Sequence, residues 1–148
     1  SIDKSYWVSS EGPGRNAPYA FDNNVRTWWE PNETDTQPWI ALDLGAASEF
    51  DPKQEFLVDS SRILFSAGRR RNGTGIGARP FRYKIEVSAD NKMFKTVVDK
   101  TKNDIVTTVE FDEIEPIKCR YVKLTVTERP KEIPLGIIEF TVFGKPAE

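Results

Sequence analysis

The chain has 148 residues, which suits one domain, 1–148, built around one hydrophobic core. Its net charge of −2 argues against nucleic acid as a partner, and no apolar run approaches the roughly 20 residues that a membrane-spanning helix requires. The absence of histidine excludes Ser-His-Asp and Cys-His catalysis and the usual histidine-rich zinc or iron sites, and the single cysteine, Cys119, excludes a disulfide within the chain.

Apolar and polar residues alternate along most of the chain, which is the period of a β-strand that buries one face. The predicted strands, in chain order, are residues 6–8, 39–44, 62–65, 82–88, 95–98, 106–111, 120–127 and 136–143. Three of them predict inward faces, made of Tyr83, Ile85 and Val87, of Val122, Leu124 and Val126, and of Ile138, Phe140 and Val142. No stretch of about ten residues or more keeps a helical period.

Turn residues separate these predicted strands. Residues 89–92 predict a hairpin turn, and residues 11–14 and 72–75 are typical of loops. We expect residues 46–60 to be a polar excursion on the surface and residues 145–148 to be a frayed tail. About eight short antiparallel strands joined by loops predict an all-β fold, a β-sandwich of the jelly-roll type.

Five segments in this order carry a resemblance to a known family. They are Ala-Phe-Asp-Asn-Asn-Val-Arg-Thr-Trp-Trp at 20–29, Trp-Ile-Ala-Leu-Asp-Leu-Gly at 39–45, the segment 83–94 with Tyr83, Ser88 and Asp90, Arg-Tyr-Val-Lys-Leu at 120–124, and Ile-Ile-Glu-Phe-Thr-Val-Phe-Gly at 137–144. Together they resemble the F5/8 type C (discoidin) domain family, whose bacterial members overlap carbohydrate-binding module family 32. The resemblance implies a jelly-roll β-sandwich similar to galactose-binding domains.

The chain departs from the family pattern at several positions. Asn23 replaces the usual turn glycine, which is tolerable because asparagine accepts left-handed backbone angles better than most residues. Phe94 replaces a tryptophan. The cysteines that clotting-factor and cell-surface relatives carry near each end are absent, and this favours a bacterial sugar-binding relative over a membrane-binding one.

The resemblance also implies a structural calcium ion where the first loop meets the last strand. Calcium prefers six to eight oxygen ligands, and Asp22, Asn24, Thr27 and Glu139 are the candidate ligands, with backbone carbonyls filling the sphere. The alternative is that Asp22 and Thr27 only brace the turn through hydrogen bonds to its amides.

A sugar binder requires an exposed aromatic side chain with planar polar groups beside it, because a sugar ring has apolar C–H faces and a rim of hydroxyls. Trp29 and Trp39 align with positions expected to pack in the core or the sheet. Trp28, at a variable position of the family, and Trp7, near a glycine-rich loop, are the candidate platforms. The alternative for both is that they cover the edge of the sandwich.

Family sugar sites commonly place a histidine where this chain has Glu30, so galactose specificity is not assumed. Polar groups in the loop 66–79 are candidates to complete the site, and they are Arg69, Arg70, Arg71 and Asn72. An arginine fork can grip adjacent hydroxyls or an acidic sugar. The alternative is that these arginines are solvated or dock on a neighbouring domain.

These residues and the resemblance predict a non-catalytic carbohydrate-binding module rather than an enzyme. The expected partners are a mono- or oligosaccharide and a catalytic glycoside hydrolase domain in the same chain, in a bacterial protein that is secreted, periplasmic or displayed on the cell surface; no nucleic acid or membrane partner is expected. An alternative is a structural accessory domain that packs on its catalytic neighbour, through residues 46–60 and 69–71, and has no ligand of its own.

Overall fold

The computed structural model describes residues 6–47, 51, 53–67, 80–129 and 135–148. Its strands, in chain order, are β1 (Tyr6–Val8), β2 (Trp39–Asp43), β3 (Phe56–Ala67), β4 (Arg82–Ser88), β5 (Lys95–Lys100), β6 (Val109–Cys119), β7 (Tyr121–Glu128) and β8 (Leu135–Pro146). The described helical segments are two short 3-10 turns, Ala17–Ala20 and Gly45–Ala47. Within the described ranges, no helix has the length and apolar content to cross a membrane.

The strands form two antiparallel sheets that pack face to face. One sheet has five strands in the order β1-β2-β7-β4-β5, and the other has three in the order β6-β3-β8. The predicted all-β sandwich of eight strands is therefore confirmed. The predicted inward faces of β4 and β7 are also confirmed, because their alternate apolar residues are buried: Tyr83, Ile85, Val87, Val122, Leu124 and Val126.

Aromatic side chains fill one part of this core. The rings of Phe65 and Phe81 are stacked with centroids 4.0 Å apart, and Tyr83 lies against Phe65 at 5.9 Å. Offset and tilted aromatic pairs of this kind stabilise a core beyond the area that they bury.

Strand β8 differs from the alternation predicted for it. Leu64 pairs with Glu139 and Phe65 pairs with Ile137, so Ile138 is an extra residue on β8. Such a β-bulge reverses the alternation on one side of it. Ile137 and Phe140 are consequently both buried, whereas Ile138 is only half-buried, and the predicted shared face of Ile138 and Phe140 is wrong.

Two predicted surface segments belong to the sheet instead. Strand β3 begins at Phe56, so the predicted excursion over residues 46–60 is wrong from that residue onward. The predicted frayed tail is also wrong at its start, because Lys145 and Pro146 pair with Leu57 and Phe56. The first half of β3 was not predicted because polar residues interrupt its apolar pattern. Ser61, for example, faces inward and is fully buried, which no hydropathy pattern predicts.

The remaining boundaries shift by a few residues. Strand β6 runs from Val109 to Cys119 rather than over 106–111, and β5 continues to Lys100 rather than ending at 98. The inner face of β6 carries Glu110 and Asp112, which are buried but charged. Because these inward-facing residues are charged, apolar alternation does not indicate the full length of β6.

A polar cluster joins the two sheets at the β4–β5 edge. Tyr83 donates a hydrogen bond of 2.5 Å to Asp112, and the Lys100 ammonium lies 2.7 Å from a carboxylate oxygen of each of Asp112 and Glu110. Burial alone would lower the pKa of Lys100, but the hydrogen bonds that its ammonium donates to the two carboxylates, together with their negative charge, outweigh burial and raise the pKa. Burial and the Asp112 carboxylate raise the pKa of Tyr83 as well.

Candidate functional site

The side chains of the adjacent residues Trp28 and Trp29 lie in different environments. Trp29 is fully buried, and its indole N–H donates to the carbonyl of Ser10 at 3.0 Å. Its backbone exchanges two hydrogen bonds with Ile137 of β8, with N···O distances of 2.9 and 2.8 Å. The structure thus agrees with the packing role expected for Trp29, and it fixes the backbone next to Trp28.

Trp28 lies over the outer side of the β3–β8 pair. A Cβ built on Gly136 would stand 2.7 Å from Cδ1 of Trp28, so the indole rests directly on the glycine backbone. The indole N–H donates to the carboxylate of Glu30 at 2.8 Å, and the guanidinium carbon of Arg15 is 3.7 Å from the ring centroid. Trp28 is half-buried in this arrangement.

A tight turn holds Arg15 in place. Gly14 has a φ of +69°, a left-handed conformation that glycine adopts without strain. The N–H of Arg15 donates to the carbonyl of Gly12 at 3.1 Å, and the N–H of Glu30 donates to the carbonyl of Arg15 at 3.3 Å. The turn therefore sets Arg15 beside Glu30. The sequence predicted a loop here but not Arg15, and the Gly-Pro-Gly turn before it was the available signal.

We refer to these three side chains as the Arg15–Trp28–Glu30 cluster. It combines a planar cation with a fork of N–H donors, a carboxylate acceptor and an indole. Because Arg15 covers one face of the indole, the cluster offers mainly hydrogen-bonding groups with aromatic edges beside them. Such a set can contact neighbouring hydroxyls of a sugar ring.

Trp7 lies on the other side of the molecule. It pairs with Ala41 of β2, and the residues flanking Ala41, which are Ile40 and Leu42, point into the core. Trp7 is therefore on the outer face of the five-stranded sheet, where 42% of it is exposed. The structure does not bring Trp7 and Trp28 together, since they occupy opposite outer faces of the sandwich.

The predicted ligand residues Arg69, Arg70, Arg71 and Asn72 lie outside the described residues. The strand that leads to them ends close to the cluster, because Ser66 of β3 pairs with Gly136 beneath Trp28. Their role as ligand residues stays a prediction.

The four predicted calcium ligands converge on one turn. Thr27 donates to the Asp22 carboxylate at 2.5 Å, and the N–H of Asn24 donates to the same carboxylate at 2.9 Å. Glu139 of β8 reaches this turn, because its carboxylate accepts the backbone N–H of Asn23. Asn23 has a φ of 56°, which confirms the expected left-handed conformation at the position of the usual glycine.

The donor chemistry of this turn fits a hard cation, since carboxylate, hydroxyl and carbonyl oxygens lie together. The hydrogen bonds of Asp22 equally fit the bracing role considered for it. In the described part of the chain, no group of three or more His, Cys, Asp or Glu side chains is arranged to hold a metal ion. Any cation here would thus rely on backbone carbonyls for much of its coordination.

Comparison with known families identifies the family of this chain. Residues 19–124, which are more than half of the chain, match the F5/8 type C-like family described as the NedA-like, galactose-binding domain. The chain belongs to this family. The resemblance inferred from the sequence motifs is therefore confirmed. No curated protein sequence matches this chain.

Several solved structures share the fold of this chain. One is chitosan-binding module 1 from the chitosanase/glucanase of Paenibacillus sp. IK-5, with 22% identity, a TM-score of 0.74, and coverage of 97% of this chain and 96% of that one. Another is CpGH89CBM32-5 from Clostridium perfringens in complex with GalNAc-beta-1,3-galactose, with 20% identity, a TM-score of 0.71, and coverage of 95% and 94%.

A longer neighbour shows the same fold within a larger chain. The family 89 glycoside hydrolase from Clostridium perfringens matches over 96% of this chain but only 14% of its own length, with 17% identity and a TM-score of 0.70. At these identities, each likeness shows a shared β-sandwich fold.

Proposed function

We propose that this domain is a non-catalytic carbohydrate-binding module whose ligand contacts the Arg15–Trp28–Glu30 cluster. The observation that carries the proposal is the geometry of Trp28, which is fixed against Gly136 while a cation and a carboxylate meet its ring and its N–H. Family membership and the sugar-binding neighbours of the same fold support it.

The proposed role is to hold substrate close to a catalytic glycoside hydrolase domain in the same chain, in a secreted or cell-surface bacterial protein. The neighbour in which a domain of this fold is part of a family 89 glycoside hydrolase supports that arrangement. Tethering converts a second binding event into an intramolecular one, so even weak binding raises the local substrate concentration. The lack of histidine supports a role without chemistry of its own.

Glycan-array screening followed by titration calorimetry tests the binding role. We expect weak binding of a mono- or oligosaccharide that Trp28→Ala and Arg15→Ala each reduce by about tenfold or more, equivalent to about 1.4 kcal/mol. Arg26→Ala is the matched control, because Arg26 is an exposed arginine of the same loop and should leave binding unchanged. An intact domain that binds no glycan would favour the accessory-domain alternative instead.

We also propose a structural calcium ion at the turn of Asp22, Asn24 and Thr27, with Glu139 as the ligand from β8. Calcium would add positive charge between two carboxylates that the fold already brings to one turn. It would join the first loop to the last strand and take no part in sugar chemistry.

Thermal unfolding with and without calcium tests this site. A ligand at 100 times its Kd stabilises the folded state by about 2.7 kcal/mol, so we expect a higher Tm in calcium than in a chelator. Glu139→Gln and Asp22→Asn should each reduce that difference. Equal Tm values in calcium and chelator would leave Asp22 and Glu139 with the bracing role alone.

A further inference from the structure

The outer face of the five-stranded sheet carries an unusual set of aromatic side chains. They come from β1, β2, β7 and the segment before β5, and they are Trp7, Trp39, Tyr121 and Phe94. The rings of Trp7 and Tyr121 lie with centroids 6.3 Å apart. We call these four residues the sheet aromatics.

Strand register explains why they share one face. Trp7 pairs with Ala41, and Ala41 pairs with Lys123 of β7, so these three residues form one row across the sheet. The neighbours of Lys123 along β7, which are Val122 and Leu124, point into the core. The row is therefore outward. Ala41 is nevertheless buried, and its two partners in this row, Trp7 and Lys123, have much larger side chains.

Two basic residues in or next to this sheet, Arg120 and Lys84, have carboxylate partners. Arg120 binds Asp43 through two hydrogen bonds of 2.8 Å, and Lys84 lies 3.2 Å from the carboxylate of Glu86. The Asp43–Arg120 pair lies under Tyr121, because the Arg120 guanidinium is 5.0 Å from the centroid of that ring.

Lys123 is the exception. Its ammonium lies 4.7 Å from the ring centroid of Trp39 and 5.7 Å from that of Phe94. Glu86 stands opposite Lys123 in the strand register, yet its carboxylate binds Lys84. Lys123 makes no ion pair with any residue that the structure describes. Among the described residues, Lys123 is therefore a cation without a counter-ion, and it lies beside two half-buried aromatic rings.

We propose that this face is a second saccharide site and that its ligand is an acidic oligosaccharide, one that carries uronic carboxylates or sulfates. The C–H face of a sugar ring would lie against Trp7, and an anionic group would pair with Lys123. Trp7 and Lys123 are two strands apart, about 10 Å, so a ligand that contacts both is longer than one sugar ring. The site shares no residue with the Arg15–Trp28–Glu30 cluster and does not depend on it.

The chemistry favours an acidic saccharide over a neutral one. A neutral sugar would stack equally on the aromatic rings but would leave the Lys123 charge uncompensated. An anion would add a charge-assisted hydrogen bond, which is roughly twice as strong as a neutral one. Because Lys123 is only half-buried, salt should weaken its pairing with an anion.

Nuclear magnetic resonance of the four indole N–H groups tests the proposal, because the chain has four tryptophans and each lies in a different environment. The probe is a short oligogalacturonate, and its methyl ester is the matched neutral ligand. We expect the acid to shift the Trp7 and Trp39 signals and to leave that of buried Trp29 in place, with at least about tenfold weaker binding of the ester.

Variants separate this site from the Arg15–Trp28–Glu30 cluster. Lys123→Gln keeps the side-chain length, removes the charge, and should weaken binding of the acid by about tenfold. Lys92→Gln is the charge-matched control in the exposed β4–β5 turn and should bind like the wild type. Trp28→Ala should also leave binding of the acid unchanged, although it removes the sugar binding proposed for the cluster.

Three outcomes would overturn the proposal. The first is that the acid and its ester bind equally, and the second is that Lys123→Gln and Lys92→Gln bind the acid alike. The third is that the Trp7 and Trp39 signals change only with protein concentration and not with ligand, which would make this face a protein contact. Circular dichroism of each variant shows whether a loss of binding reflects a loss of the fold.

Discussion

At the scale of single residues, Gly136 supports the position of Trp28. A Cβ at this position would lie 2.7 Å from Trp28 and 2.8 Å from the Ser66 side chain, distances at which atoms must move apart. The absent side chain of Gly136 thus makes the space in which the indole rests. The Arg15–Trp28–Glu30 cluster therefore depends on β8 as much as on its own loop.

We expect Gly136→Ala to displace Trp28 and so to weaken sugar binding at the Arg15–Trp28–Glu30 cluster. Overpacking should also destabilise the fold by about 1–3 kcal/mol. Gly12→Ala is a control for stability alone, because its nearest contact would be an ordinary 3.4 Å but Gly12 belongs to the turn that holds Arg15. Urea denaturation and calorimetry measure the two effects. If Gly136→Ala retained full affinity, the position of Trp28 would not matter for binding.

The conformation of a single residue was predictable from the sequence where it depends only on the local backbone. Asn23 was expected to take left-handed angles and does so. Arg15 and Lys123 were not predicted, because their positions depend on rings that are distant in the sequence, Trp28 and Trp39. No local pattern records that an arginine or lysine will lie over a particular indole.

At the scale of elements, strand β8 shows both the strength and the limit of sequence patterns. Alternation located its centre, but the bulge at Ile138 and the pairing of Lys145 and Pro146 with β3 were missed. Both depend on the partner strand rather than on β8 itself. Strand β3 in turn pairs along nearly its whole length with β8 and β6, so it is the centre of its sheet.

Removal of residues 145–148 should therefore destabilise the domain. The deletion removes the pairing with Phe56 and Leu57 and the hydrogen bond of 2.9 Å from the Ala147 N–H to the Glu55 carbonyl. At about 1 kcal/mol for each hydrogen bond, we expect a loss of about 1–3 kcal/mol in urea denaturation. Removal of Glu148 alone is the control and should have little effect; equal effects of the two deletions would contradict the pairing.

At the scale of the whole molecule, the polar cluster of Tyr83, Lys100, Glu110 and Asp112 links the two sheets at one edge. Most of the sandwich is held by apolar packing, which has no fixed direction, whereas these hydrogen bonds set how β5 meets β6. The pKa of Lys100 is raised by its two carboxylate partners despite burial. A raised lysine pKa contributes stability that is complete below its ordinary value of 10.5 and is lost as the pH rises through the folded value.

The wild type should accordingly lose stability above about pH 10, where the raised pKa of Tyr83 acts in the same direction. Lys100→Met should cost about 1–3 kcal/mol at pH 7, an estimate reduced for the partial exposure of Lys100, and should lessen the alkaline loss. Lys102→Met, at an exposed lysine nearby, is the control. Urea denaturation between pH 7 and pH 11 provides the measurement, and parallel curves for wild type and Lys100→Met would contradict the link.

The bridge between Trp29 and Ile137 has a consequence for the thermodynamics of any ligand at Trp28. The backbone of Trp29 is anchored in the core, so Trp28 loses most of its freedom when the chain folds rather than when a ligand arrives. A flexible aromatic loop would lose that entropy on association. We therefore expect the free and bound forms to differ little in backbone position at Trp28. The binding free energy should then reflect direct contacts, because little conformational entropy is lost when the ligand binds.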